Sequence, residues 1–471
     1  MSHMHVAGAI HADVASPAPV WLTEPEDANA LTPKLWSANT SRGADGVMAI
    51  AGLSVTELAQ REGTPLYVID EDDFRARARA WRQAFAGWRV YYAGKAFLCT
   101  GLARWVADEG LCLDVCSLGE LTVALRAGVD PATIGMHGNN KTVDELRLAL
   151  QSGVGRIIVD SSDELTRVEA LAEELDTTAK VMVRVTAGVE AHTHDYIATA
   201  HDDQKFGFSI TSGAALVAMM RCFHSPRLDL LGVHSHIGSQ IFDTDGFEVA
   251  ARRTLKLFAQ FREATGSLMR ELDLGGGFGI AYVKEDTPST AEGLAASLRE
   301  IVAHECQGFG LEPPAVSIEP GRAIVGPSGT ALYRVGTVKS VDVSPNASRR
   351  YISVDGGMSD NIRPALYGAE YSAALASRTS DAEPVLSRVV GVHCEAGDIL
   401  VRDEFLPGDV KPGDLIAVPA SGAYSRSMAS NYNHVPRPPV VAVRDGRITT
   451  LLRRETLDDV LRLDPGAGRD E

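Results

Sequence analysis

The chain has 471 residues, 45% of them hydrophobic and 23% charged, with a formal net charge of −17. That length suits two domains better than one, and so acidic a surface excludes a nucleic-acid partner, which demands a basic face. Six cysteines show neither a C-x-x-C pair nor zinc-finger spacing, which is the usage of a chain kept in a reducing cytoplasm.

Residues 1–29, rich in Ala, His and Pro, read as a tail. It lacks a cationic start followed by an apolar run, so no secretory signal is expected. No apolar stretch approaches the roughly 20 residues that cross a bilayer, so no membrane partner is expected either. Residues 30–67 form the N-terminal part of a β domain, to which YVID at 67–70 contributes a strand.

Within residues 68–326, read as the barrel domain, one unit repeats between about residues 88 and 322: a short β-branched run, a turn, then an amphipathic helical pattern. Eight runs are predicted as strands: Arg89–Lys95, Cys112–Cys116, Thr133–His137, Arg156–Asp160, Lys180–Val185, Leu231–His236, Glu271–Gly275 and Ala315–Glu319. Between them Ser117-Leu-Gly-Glu120 and Thr142-Val-Asp-Glu145 read as capping boxes, and Gly128 and Gly153 as helix-ending glycines. Eight such units predict a (β/α)8 TIM barrel; a doubly wound open sheet has the same strand count. Residues 327–471 change character: strand-like runs punctuated by Pro-Gly and Asp-Gly turns predict an all-β domain, a sandwich or Greek-key barrel completed by the N-terminal segment.

In a TIM barrel the C-terminal strand ends build the active site, and here they are polar. Lys95 ends an apolar run (YYAGK), where desolvation would depress an amine, as a Schiff-base lysine requires; otherwise it snorkels from the rim. Gly275, Gly276 and Gly277 follow a strand and offer amides to a phosphate, with a plain turn as the alternative. Ser239 could add a hydroxyl. Glu319, heading EPGR, could keep a pyridine nitrogen protonated, and the fork of Arg322 suits a carboxylate. His234 and His236 share one side of a strand, but HSHIGSQ supplies no compelling third ligand, so no metal is expected. His192, His194, Asp195 and His201 look like a polar loop. In the β domain HCEAGD sets Cys394 beside two carboxylates; alone, it reads first as a buried structural thiol.

Together YAGKAF, LDVCSLGE, HGNNK, HSHIGSQ, DLGGGFGIAY, EPGR, VDGGMSDNIRP, CEAGD and GAYSRSMASNYN resemble the diaminopimelate decarboxylases, in the group that holds alanine racemase and eukaryotic ornithine decarboxylase. The resemblance spans about residues 45 to 460, with the motifs in family order. It implies a pyridoxal 5'-phosphate (PLP) enzyme that decarboxylates meso-diaminopimelate to L-lysine, the last step of lysine biosynthesis. Lys95 then corresponds to the Schiff-base lysine, Asp114 and Glu120 to acids beside the cofactor, and His236 to the histidine stacked on its ring. Ser239 and Gly275 to Gly277 match the phosphate cradle, and Glu319 the pyridine partner. Arg322, Arg363 and Tyr367 match positions that hold the distal carboxylate, and Tyr424 a tyrosine near phosphate and substrate. Cys394 and Glu395 are implied to reach the site across a homodimer interface, with the Cα proton returned by Cys394 or Lys95. Competing expectations are a related decarboxylase of arginine, ornithine or carboxynorspermidine, and a non-catalytic PLP-binding homologue. A distal amine or guanidinium would want an acid where Arg363 stands.

Overall fold

The computed structural model describes residues 18–19, 21–188, 205–344 and 347–467. Most of the tail lies outside them, as do His192, His194, Asp195 and His201. Two compact units emerge: one holds the described residues up to Phe74, Ala281–Asp286 and those from Val325 onward; the other holds Arg75–Ile280 and Thr287–Ile324. The short segment Ala281–Asp286 thus groups with the β unit, although it lies within the residues read as barrel. Among the described residues no helix is long and apolar enough to cross a membrane.

In the second unit all eight predicted runs are strands: Arg89–Ala93, Cys112–Val115, Ile134–Met136, Arg156–Val159, Ala179–Thr186, Leu228–Ser235, Glu271–Asp273 and Ala315–Ile318. Each pairs in parallel with the next, and the eighth pairs with the first. That last pairing closes the ring and disposes of the open sheet. Parallel strands need long crossovers, which helices such as Thr100–Asp108, Leu118–Ala127 and Val143–Ser152 supply. The barrel interior is not wholly apolar. Arg156, 1% exposed, reaches from the fourth strand to Asp273 on the seventh and Ser317 on the eighth, and lies 3.7 Å from the Tyr91 ring.

Local signals held with one amendment. Thr142 and Glu145 form a full capping box, and Gly128 and Gly153 end their helices in the left-handed region. Ser117 caps the Glu120 amide, but the Glu120 carboxylate bonds the amide of Cys116 rather than that of Ser117. The reciprocal half of that predicted box is therefore displaced by one residue, toward the strand end.

In the first unit Leu66–Asp70 is an inner strand, antiparallel to Gly329–Ser344 and parallel to Val440–Arg444. The sheet continues through Ala347–Val354, Pro384–Val390 and Ile399–Pro407 on one side and Arg447–Leu452 on the other. Asp445 and Gly446, both at positive φ, make the tight hairpin turn that their Asp-Gly pair signals. Leu66, Val68, Leu332, Leu415, Val441 and Val443 share one buried core, so the N-terminal segment completes this domain as expected.

Candidate active site

One cavity of about 310 Å³ opens within the barrel unit, lined by Lys95, Asp114, Glu120, His137, His234, His236 and Glu319 among others. Lys95 lies in the turn Gly94–Ala96 that follows the first strand. Its side chain is exposed, so the expectation of an amine desolvated by its apolar neighbours is not met. Gly94 and Ala96 on either side of it are buried, and only the lysine side chain turns out of the wall.

Four strand ends bring titratable groups together. Nε2 of His137 stands 3.1 Å from Oδ1 of Asp114 and 3.3 Å from Oε1 of Glu319, and Nε2 of His234 stands 3.1 Å from the same Glu319 oxygen. Burial, then the Glu319 charge, push the Asp114 carboxyl up to about 7 against the pull of His137. Burial works against a charged His137, but the two carboxylates outweigh it and raise the imidazole to about 9. Burial also opposes an ionised Glu319, yet His234 and His137 hold that carboxyl well below its usual range. Burial keeps His234 low despite Glu319, and keeps His236 low with help from Lys95 and Arg184.

These contacts are close but poorly aligned. Both oxygens of Asp114, Nε2 of His137, both nitrogens of His234 and Oε1 of Glu319 are buried without a hydrogen-bond partner among the described residues. Orphaned buried polar atoms call for a ligand or a functional explanation. Acids and imidazoles lining one cavity with an exposed lysine suit an aromatic cofactor with a ring nitrogen and an aldehyde.

The glycine loop beside them is shaped by close approach. A Cβ on Gly275 would meet the Ser235 carbonyl oxygen at 2.4 Å, one on Gly276 the Glu319 carbonyl oxygen at 2.2 Å, and one on Gly277 the Gly238 carbonyl oxygen at 2.4 Å. The amides are partly committed, however. Gly275 N–H donates to Asp273 Oδ1 at 2.7 Å, and Gly276 N–H to His236 Nδ1 at 3.3 Å. The second bond fixes the His236 ring against the loop. Arg322 donates to Ser239 Oγ at 2.9 Å, so the EPGR and HIGSQ motifs meet. The cavity and the cradle therefore fit PLP by their donor set and their shape.

Arg363, Tyr367, Cys394, Glu395 and Tyr424 all belong to the β unit. Arg363 opens the helix Arg363–Tyr367, is buried, donates to the Tyr371 hydroxyl and lies 4.8 Å from the Tyr282 ring. Cys394 and Glu395 are exposed, which overturns the reading of Cys394 as a buried structural thiol. The Tyr432 hydroxyl donates to Glu395 Oε1 at 2.7 Å.

Sequence reasoning counted His137 among the polar strand ends without assigning it a role, and missed Arg184 and Phe206, which also line the cavity. His137 carried a usable signal, being the polar end of the third predicted strand. Phe206 follows a long connection, and nothing local marks it.

Residues 71–326 match a family model described as pyridoxal-dependent decarboxylase, pyridoxal binding domain. The chain is 56% identical over 439 residues to diaminopimelate decarboxylase of Mycobacterium bovis, which covers 92% of this chain and 98% of that protein. It is 45% identical over 423 residues to the Bacillus subtilis protein of the same name, covering 89% and 95% respectively. Among solved structures, diaminopimelate decarboxylase from M. jannaschii in complex with L-lysine aligns with a TM-score of 0.84 at 31% identity, over 91% of this chain and 98% of that one.

Proposed function

The chain belongs to the diaminopimelate decarboxylase family, and from that premise we propose how its residues convert meso-diaminopimelate into L-lysine and CO2. The observation that carries the proposal is the orphaned cluster of acids and imidazoles in the cavity that Lys95 lines. Bound there, PLP supplies a protonated ring that takes up the electron pair left when the α-carboxylate departs.

Lys95 anchors the cofactor covalently through its amine. Glu319, held ionised by two imidazoles, would accept a hydrogen bond from the ring nitrogen and keep its proton in place. His236, kept neutral, would pack on the ring, with Asp114 and Glu120 beside it. Ser239 and the glycine loop hold the phosphate; with two of the loop's amides already committed, Gly277 takes the larger share. Arg322, Arg363 and Tyr367 hold the distal carboxylate, Tyr424 lies near phosphate and substrate, and Glu395 faces the ammonium at the reacting end. Cys394 or Lys95 returns the proton to Cα.

The active form is a homodimer, and each Cys394 and Glu395 completes the partner's site. Their exposure supports this, as does the exposed apolar surface beside them, where Val392 is 52% and Tyr432 40% accessible. A cytoplasmic setting agrees with six cysteines that are all free.

Arg363 tests the substrate. A desolvated second carboxylate requires a matched cation, and a guanidinium already oriented by two tyrosines gives two charge-assisted hydrogen bonds. Arg363→Ala should lose about 3 kcal/mol of transition-state binding, roughly a hundredfold in kcat/KM, while PLP still binds. Full kcat/KM in that variant, or a wild-type preference for arginine, ornithine or carboxynorspermidine, would defeat the assignment.

A further inference from the structure

The run His137-Gly-Asn-Asn-Lys141 ends in a charged side chain that none of these roles uses. Lys141 is 1% exposed, yet its ammonium is fully engaged. It donates to the Gly138 carbonyl at 2.7 Å, the Ile158 carbonyl at 2.6 Å and Glu164 Oε1 at 2.7 Å. Those are all the donors an ammonium has.

The three acceptors come from different pieces of the cavity's surroundings. Gly138 directly follows His137 and lines the cavity with Asn139. Ile158 lies in the fourth strand, and Glu164 in the first turn of the helix Ser162–Glu174. The other Glu164 oxygen accepts from the Asp160 amide at 3.1 Å, and Asp160 Oδ2 accepts from the Gly207 amide, next to Phe206, at 3.0 Å. Asp160 Oδ1 stands 3.8 Å from Nε of Arg184, which also lines the cavity. One buried ammonium thus ties the His137 loop to the neighbouring fourth strand and, through Glu164 and Asp160, toward Arg184 on the fifth.

For stability alone such a pair has no advantage. Burying two charges costs about what their attraction returns, and well-packed apolar residues of similar volume often hold a core as well. An apolar pair lacks direction, however, and cannot tether the Gly138 carbonyl. Gly138 sits at φ +131°, and a Cβ there would come within 3.3 Å of the Lys141 stem, so the loop wraps closely around it. We infer that Lys141 and Glu164 are a positioning pair, which fixes the His137–Asn139 loop so that His137 stands between Asp114 and Glu319 before PLP arrives. The inference rests on the reading of that cavity as the PLP site.

The test separates positioning from stability. Lys141→Met strands the Glu164 charge and should lower the melting midpoint. Lys141→Met/Glu164→Leu removes the stranded charge and should restore the midpoint to near wild type. Its PLP dissociation constant, measured by fluorescence titration of the apoenzyme, should nevertheless rise at least tenfold, and kcat should fall with little change in KM. A double variant that regains its midpoint and binds PLP with wild-type affinity overturns the inference. If the double variant does not fold, the neutral pair Lys141→Gln/Glu164→Gln takes its place with the same expectation; failure of both to fold assigns the pair to stability and also overturns it. Wild-type enzyme that bound no PLP would instead sink the reading of the cavity.

Discussion

His137 shows how far one side chain's environment sets its charge. Two buried carboxylates raise it to about 9 despite burial, against about 6.5 in an unfolded chain. A group raised on folding stabilises fully below its unfolded value and loses that contribution as pH climbs through its folded value. Asp114, raised to about 7, acts in the same direction at lower pH. The melting midpoint of the PLP-free protein should therefore fall between about pH 6.5 and 9, with on the order of 3 kcal/mol of stability lost. His137→Gln should flatten that slope in thermal melts; an unchanged slope would mean that another group titrates there. Lys95, Asp114, Glu319 and His236 were legible as residues lining one cavity because each sits at or near a strand end among apolar residues. The charge of His137 was not, because it depends on neighbours 23 and 182 positions away along the chain.

At the scale of elements, the eight strands were readable because each is a short, mostly apolar run, β-branched in most cases, spaced by helical patterns. Ring closure was expected from the count of eight units, but the pairing that makes it, Ser317 and Ile318 meeting Arg89 and Val90, has no local signature. The polar bridge inside the ring was equally hidden: Arg156 reads as a charged residue starting a strand, whereas it crosses the interior to Asp273 and Ser317. Removing one partner of a buried pair leaves the other charge uncompensated. Arg156→Met should accordingly cost about 3–5 kcal/mol in urea unfolding of the whole chain. A loss under about 1 kcal/mol would show that Asp273 finds other partners. Asp273 also accepts from the Gly275 amide, so the same variant should weaken PLP binding through the glycine loop.

For the whole molecule, the N-terminal strand Leu66–Asp70 was readable as part of a later β domain, but the grouping of Ala281–Asp286 with that domain was not. Its residues continue the glycine-loop motif, and only packing assigns them. The shared-site dimer is the proposal that concerns the assembly. Lys95→Ala and Cys394→Ala chains should each be inactive alone, yet hybrids formed by demonstrated subunit exchange carry one intact site. Equal mixing should restore about a quarter of wild-type activity, and silent hybrids would refute sites shared between subunits. The central claim is that this chain decarboxylates meso-diaminopimelate with PLP anchored on Lys95. Borohydride reduction of PLP-loaded, substrate-free enzyme from a preparation shown to turn meso-diaminopimelate into L-lysine, followed by peptide mass mapping, tests it most directly. The account predicts a pyridoxyl-phosphate adduct on the Lys95 peptide, prevented by Lys95→Ala together with all lysine formation; an adduct on another lysine in active enzyme would contradict it.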